Sequence, residues 1–219
     1  MSKIVFWDVD TQYDFIMPDG RLCIPGAVEL LPNLARLTRL AQSSPGRIQL
    51  VASMDDHSPS DPELSTHPDF LETFPPHCLH GSVGQMKVIS TEPRHPLRIF
   101  PEPMEERERL QRLESHQGEI VILKRQFDVF TNPNTEPIVR WLDPGAIYLY
   151  GVALDVCDAY AIEGLLRMSC GNLFFVRDAA EAIDRPRGEK LLEKWRRQGV
   201  SIVDTEEVCR RLGEPPRES

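Results

Sequence analysis

Short apolar runs alternate with amphipathic stretches along most of this chain of 219 residues. The runs are rich in Val, Ile, Leu and aromatic residues without polar breaks, which is typical of strands buried on both faces. The predicted strands are Lys3 to Trp7, Arg47 to Ser53, Glu119 to Leu123, Ala146 to Tyr150, Leu173 to Val176 and Val200 to Val203. The predicted helices are Ala27 to Ala41, Met104 to Leu113, Glu136 to Leu142, Asp155 to Met168, Gly188 to Arg197 and Thr205 to Leu212. This alternation predicts a three-layer α/β/α domain with a mostly parallel, six-stranded sheet.

Two segments interrupt the alternation. Asp56 to Gly84 is rich in Pro, Ser, His and Asp and is much longer than an ordinary strand-to-helix connection, so we expect a functional loop. Glu92 to Pro103 contains four prolines and is expected to cross the surface in an extended form or to contact another subunit. We interpret residues 1–212 as one domain and residues 213–219 as a disordered tail.

Composition excludes several classes of function. The net charge is −9 and basic residues are not clustered, so neither nucleic acid nor an anionic membrane is an expected partner. No apolar run reaches the roughly 18 residues that a membrane span needs, and the acidic start is unlike a signal peptide. The five cysteines are scattered without a C-x-x-C pair, so we expect a reduced, cytoplasmic protein.

Acidic and histidine side chains follow the first two predicted strands, where an open parallel sheet binds its ligands. Asp10 lies in a group of three acids after the first strand, where turn formation is the competing explanation. Asp55 and His57 follow the second strand, and His77 comes twenty residues later. Carboxylate and imidazole together suit one divalent metal ion, although a lone histidine here could equally be a polar loop residue.

A lysine and a cysteine follow the next two strands. Lys124 closes the third strand, where an ordinary lysine would reach solvent. After the fourth strand, Gly151 leads into a predicted helix whose first turn contains Cys157. The helix dipole and unpaired N–H groups there favour a thiolate and could bind an oxyanion. A buried structural cysteine is the alternative.

Taken together, these residues resemble the isochorismatase-like cysteine hydrolases, and within them the nicotinamidase/pyrazinamidase group. The resembling blocks are V-D-T-Q-Y-D-F from Val9, Asp55-x-His57, F-P-P-H-C from Phe74, Lys124, and G-V-A-(x)3-C ending at Cys157. They occur in the family's order from residue 3 to about residue 185, which is nearly the whole chain. The resemblance implies the Rossmann-like fold of that family and an amidase acting on a small amide, nicotinamide before others.

The resemblance also implies catalytic roles. Cys157 is the expected nucleophile, Asp10 the general base, and Lys124 the partner of Asp10 that helps to hold the thiolate. The backbone N–H groups of Ala153 and Cys157 are the expected oxyanion hole, and the Val152–Ala153 peptide is expected to be cis. We also expect a homo-oligomer.

The implied cofactor is one divalent metal ion, Zn, Mn or Fe, which anchors the substrate ring. Its expected ligands are Asp55, His57 and His77, with Glu63 as the fourth and His67 or Asp61 as alternatives. Phe15 and Phe74 are candidate ring-stacking walls, unless they belong to the ordinary core.

Other functions remain open at this point. The same fold and triad could cleave an acyclic carbamoyl or ureido compound, or an isochorismate-type ether. A non-enzymatic scaffold is disfavoured because it would have no use for Asp10, Lys124 and Cys157 together. A dinucleotide-binding domain is excluded because no G-x-G-x-x-G follows the first strand.

Overall fold

A parallel sheet forms the centre of the molecule. The computed structural model describes residues 3–213. The strands are β1 (Lys3–Val9), β2 (Ile48–Asp55), β3 (Leu97–Ile99), β4 (Ile120–Lys124), β5 (Pro144–Val152), β6 (Asn172–Glu181) and β7 (Ser201–Val203). Their order across the sheet is β3-β4-β2-β1-β5-β6-β7, and all neighbouring pairs are parallel. The predicted three-layer parallel architecture is therefore present.

The prediction of six strands is wrong, because the sheet has seven. The additional strand, β3, lies inside the proline-rich segment that we expected to be a plain surface crossing. It has three residues and pairs only with β4, so it forms the edge of the sheet. Proline lacks an N–H donor, and an edge strand tolerates this loss because one of its sides has no neighbouring strand. The strand was missed because three residues are too short for a recognisable pattern.

Helices cover both faces of the sheet. They are α1 (Tyr13–Ile16), α2 (Leu31–Gln42), α3 (Glu106–Ser115), α4 (Thr135–Leu142), α5 (Cys157–Met168), α6 (Arg185–Arg197) and α7 (Thr205–Leu212). One apolar core joins α3, α4, α5 and α6 to the sheet, and a second joins α2 and α7 to the opposite face. None of the helices in residues 3–213 has the length and apolar character needed to cross a bilayer.

Local chemistry explains where the helices begin. The Asp204 carboxylate accepts a hydrogen bond from the Glu207 N–H and starts α7 at the predicted residue. Asp184 caps α6 in the same way, so that α6 begins at Arg185, three residues before the predicted start. The predicted helix over 27–41 is a 3₁₀ turn, Ala27–Leu30, followed by α2. Gly213, which we assigned to the tail, instead ends α7 in a left-handed conformation, and residues 214–219 lie outside the described residues.

The strand order reverses beside β1. The chain passes from β1 to β2 on one side and later returns to β5 on the other side. The carboxyl ends of β1, β2, β4 and β5 thus lie side by side at the position where open α/β sheets bind ligands.

Candidate active site

Asp10 follows β1 in a strained turn. Its φ of 48° lies in the left-handed region, which Asp tolerates better than most residues. Its N–H donates to the Ser53 carbonyl at 3.2 Å, and its carboxylate accepts from the Ser53 hydroxyl at 2.7 Å. Asp10 is completely buried, so the neighbouring strand β2 fixes the direction of its carboxylate.

The Lys124 ammonium joins the ends of three strands. Its Nζ lies 2.9 Å from Asp10 Oδ2, 2.5 Å from Asp55 Oδ1 and 3.6 Å from Cys157 Sγ. Lys124 is buried and does not reach solvent. Burial alone would lower its pKa, but the two carboxylates hold the pKa well above its ordinary value. Lys124 therefore remains a cation beside the thiol.

Cys157 is the first residue of α5 and lines a pocket. Among the described residues, the N–H groups of Ala153 and Cys157 have no hydrogen-bond partner, so both are free to donate to an oxyanion. The Val152–Ala153 peptide is cis, as the resemblance implies.

The surroundings of Cys157 disfavour its thiolate form. Burial raises its pKa and the Lys124 charge lowers it only in part, so the pKa lies well above its ordinary value of 9.0. The sequence led us to expect a thiolate at the helix terminus, but loss of hydration outweighs that effect in a closed site. The thiol must therefore lose its proton to a base during the reaction.

The four expected metal ligands come together in one buried cluster. Single ligand atoms of Asp55, His57, Glu63 and His77 all lie within 4.8 Å of one another. His57 Nε2 is 3.3 Å from Glu63 Oε1 and 3.7 Å from Asp55 Oδ2, and His77 Nε2 is also 3.7 Å from Asp55 Oδ2. His57 Nε2 and Glu63 Oε1 are buried without a hydrogen-bond partner among the described residues. Orphaned ligand atoms that converge in this way fit a divalent ion.

The other ring nitrogen of each histidine is already engaged. His57 Nδ1 lies 3.1 Å from Asp61 Oδ2, and His77 Nδ1 lies 2.7 Å from the Pro75 carbonyl. Such contacts orient both rings with Nε2 toward the cluster, as in protein metal sites generally. Two imidazoles and two carboxylates suit Zn, Mn or Fe(II).

Without an ion, a proton balances the cluster. Burial lowers the pKa of His57, but the Asp55 and Glu63 carboxylates raise it from 6.5 to about 10. The pKa of Asp55 is well below its ordinary value, because Lys124 and the two histidines outweigh burial. A metal ion must displace the His57 proton, so acid weakens metal binding.

The two alternatives to Glu63 lie elsewhere. Asp61 contacts His57 from the side opposite the cluster, where it orients the ring. His67 is exposed and its ring contacts the Thr66 hydroxyl.

A narrow apolar pocket leads to Cys157. Its cavity volume is only about 20 Å³, and Cys157, Asp55, Glu63 and His77 lie along its wall. The remaining lining residues are apolar: Phe15, Leu22, Ile24, Phe74, Phe127, Ala153, Val156 and Ile183. Phe15 and Phe74, the two predicted ring-stacking residues, thus line the pocket. Ala153 was expected at the site for its N–H group. The other five apolar residues were not predicted as site residues.

Two residues of the first motif hold the metal cluster in place, a role that we did not assign from the sequence. The Gln12 side chain accepts from the Asp55 N–H at 2.7 Å and donates to the Asp55 carbonyl at 2.9 Å. The Asp14 carboxylate accepts from the Cys78 N–H at 2.7 Å and so fixes the residue after His77. The signal was present, because both residues alternate with Asp10 in the same short motif.

Asp158 is an unexpected feature of α5. It follows Cys157, its side chain is completely buried, and neither carboxylate oxygen has a hydrogen-bond partner among the described residues. Burial, together with the charges of Asp10, Asp155 and Asp8, holds the pKa of Asp158 well above its ordinary value, and Lys124 offsets this only in part. Burial therefore favours the protonated form of Asp158, next to Cys157.

The fold and this cluster together define an α/β protein with a buried cysteine, aspartate and lysine beside a candidate metal centre. The family model for the isochorismatase domain matches residues 4–207. The chain belongs to the isochorismatase family, which places it among the hydrolases. A search of curated proteins found no significant match.

Solved structures share the fold at low sequence identity. An isochorismatase-like hydrolase from Alkaliphilus metalliredigens has a TM-score of 0.72 and 18% identity, covering 96% of this chain and 99% of that chain. The zinc complex of Pyrococcus horikoshii pyrazinamidase has a TM-score of 0.69 and 21% identity, covering 92% and 99%. N-carbamoylsarcosine amidase from Thermoplasma acidophilum has a TM-score of 0.67 and 20% identity, covering 93% and 97%.

Proposed function

We propose that this protein is a cysteine amidohydrolase that converts a small neutral carboxamide, nicotinamide before others, into the carboxylic acid and ammonia. The observation that carries the proposal is the position of Lys124, whose ammonium contacts Asp10, Cys157 and Asp55 at once. One cation thus links a base, a nucleophile and a candidate metal ligand beside a single pocket.

In the first half-reaction, the thiol of Cys157 attacks the amide carbon and its proton passes to Asp10. The N–H groups of Ala153 and Cys157 hold the tetrahedral oxyanion. Asp10 returns the proton to the nitrogen, so that ammonia leaves and a thioester remains.

In the second half-reaction, Asp10 takes a proton from water, and the resulting hydroxide attacks the thioester. Collapse of this second intermediate releases the acid, and the proton on Asp10 restores the thiol. Lys124 remains charged throughout and keeps the Asp10 carboxylate in place.

The metal cluster favours a ring nitrogen in the substrate. Asp55, His57, Glu63 and His77 would hold a divalent ion, which supplies a Lewis-acidic anchor for a heteroaromatic nitrogen. Phe15 and Phe74 line the pocket and provide flat apolar surfaces for such a ring.

The pocket wall disfavours an anionic substrate. None of the residues that line it is Lys or Arg, whereas Asp55 and Glu63 are acidic. A carboxylate-bearing carbamoyl compound or an isochorismate-type ether would therefore find no cationic side chain in this wall and would depend on the metal ion alone. The alternative function uses the same Asp10, Lys124 and Cys157 but hydrolyses such an acyclic amide. N-carbamoylsarcosine is the compound with which to test it, because an N-carbamoylsarcosine amidase shares the fold.

Ammonia release from nicotinamide, pyrazinamide and N-carbamoylsarcosine, with and without added Zn, Mn or Fe(II), tests the proposal. We expect release from the two heteroaromatic amides, enhanced by metal, and none from Cys157→Ala. Cys170→Ala is the matched control, because Cys170 lies two residues beyond the C-terminal end of α5 and outside the pocket. Release from N-carbamoylsarcosine alone, indifferent to chelators, would favour the acyclic alternative.

A further inference from the structure

Four aromatic rings form a continuous chain from the pocket wall to the surface. Phe74 and Phe127 both line the pocket, and their rings meet edge to face with centroids 5.7 Å apart. Outside the pocket, Phe127 stacks on Tyr160 at 6.2 Å with an interplanar angle of 16°. Phe74 meets Phe70 edge to face at 6.1 Å.

The outer members of this chain are exposed at the pocket mouth. Phe70 is 57% exposed and Tyr160 is 43% exposed. Ile183, which lines the pocket, is 40% exposed. We call Phe70, Phe127, Tyr160 and Ile183 the apolar rim. Clustered exposed apolar side chains beside a pocket are characteristic of ligand contact.

The rim is attached to the catalytic elements. Tyr160 lies three residues after Cys157 in α5, a spacing that places both on one side of the helix. Phe127 lies three residues after Lys124. Because Phe127 lines the pocket together with Cys157 and stacks on Tyr160, these two rings lie beside a substrate bound in the pocket.

We propose that the apolar rim is a second subsite, which binds an uncharged aryl or alkyl substituent carried by the ring of the carboxamide substrate. The preferred substrate is then a substituted aromatic amide larger than nicotinamide itself. This inference rests on the proposed amidase function, since the amide end of the substrate is placed at Cys157.

The exposed rings of Phe70 and Tyr160 offer apolar contact surface, which suits an apolar substituent. The Phe127–Tyr160 pair presents flat surface at the mouth, which matches a second aromatic ring. One aromatic contact changes affinity by about two- to tenfold.

The test compares nicotinamide with 5-phenylnicotinamide and 6-phenylnicotinamide, which extend the ring in two directions. We expect kcat/KM for at least one phenyl derivative to exceed that for nicotinamide by about fivefold or more. Phe127→Ala and Tyr160→Ala should each reduce this preference by about two- to tenfold. Phe100→Ala is the matched control, because Phe100 is 44% exposed but lies outside the pocket, and it should leave the preference unchanged.

Two results would overturn the subsite: no phenyl derivative surpasses nicotinamide, or the preference survives both rim substitutions. If Tyr160→Ala instead weakens self-association in sedimentation and leaves the preference intact, the rim is an interface between two copies, which also overturns it.

Failure of the amidase proposal gives a different pattern. The wild type would then release ammonia from neither nicotinamide nor its phenyl derivatives. Calorimetric binding of the same three compounds to Cys157→Ala still tests the rim in that case, because tighter binding of a phenyl derivative supports it and equal or weaker binding refutes it.

Discussion

Replacing Asp158 with asparagine should stabilise the protein increasingly as the pH rises. In the folded protein Asp158 is buried without a partner among the described residues and keeps its proton, whereas in the unfolded chain it ionises near its ordinary pKa of 3.8. Above that pH the folded state binds one more proton than the unfolded state. Stability of the wild type therefore falls as pH rises, until the folded protein also loses this proton. The asparagine side chain is never ionised, so the Asp158→Asn variant escapes this loss.

The size of the effect follows from proton linkage. For each pH unit over which only the unfolded state is ionised, Asp158 lowers the free energy of unfolding by about 1.4 kcal/mol. The advantage of Asp158→Asn should grow by up to about 2.7 kcal/mol between about pH 4.5 and about pH 6.5, the limit reached if the folded protein keeps the Asp158 proton throughout. In a domain of this size that corresponds to about 5–11 °C in Tm.

The assay is thermal or urea unfolding of both proteins at the two pH values. The buried asparagine amide is as poorly partnered as the buried acid. The stability difference between the two proteins at a single pH is therefore less informative than the change in that difference from one pH to the other. Asp155→Asn is the matched control, since the Asp155 carboxylate accepts hydrogen bonds from the N–H groups of Ile183 and Asp184 at 2.8 and 3.0 Å. It should lower Tm at both pH values. An Asp158→Asn advantage that stays constant or shrinks with pH would refute the reasoning.

Three further substitutions test separate parts of the site. Cys157→Ala should abolish turnover without unfolding; retained hydrolysis would exclude the mechanism. Lys124→Met should slow alkylation of Cys157 near neutral pH by about tenfold or more, since a charge at this separation stabilises the thiolate by up to about 4–5 kcal/mol; an unchanged rate would mean that Lys124 does not act on the thiol. His57→Ala should contain less bound metal, as measured by elemental analysis, and its KM should be higher by about tenfold or more, because replacing a residue that supports a metal site weakens the site to this extent. Undiminished metal content would exclude His57 as a ligand.

The regular part of the fold was predictable because strands buried on both faces leave unbroken apolar runs. Lys3 to Trp7 and Arg47 to Ser53 are of this kind and correspond to the observed β1 and β2, apart from Arg47, which precedes β2. The edge strand β3 was missed because one short pairing with β4 leaves no comparable pattern. The start of α5 was placed two residues early, at Asp155, because local sequence does not reveal the turn from Ala153 to Val156.

Much of the site was accessible because a parallel sheet gathers the residues after its strands at one edge. That rule placed Asp10, Lys124 and Cys157 at one edge, and the family resemblance implied that they act together; the structure brings the three side chains into contact. Glu63 depended on the family resemblance, since nothing in its own loop distinguishes it from Asp61. The stacking of Phe127 on Tyr160 could not be foreseen, because it joins two distant segments through side-chain packing only.

The two carboxylate oxygens of Asp55 have different partners, so Asp55 connects two parts of the site. Oδ1 contacts Lys124, which in turn contacts Cys157, whereas Oδ2 faces His57 and His77. Asp55 therefore belongs both to the metal cluster and to the electrostatics of the nucleophile, although the sequence indicated only the first role. Any substitution of Asp55 disturbs both functions together. His57 contacts Oδ2 alone, so its removal leaves the Lys124 contact in place, and the rate of Cys157 alkylation in His57→Ala measures how far the two functions are separate.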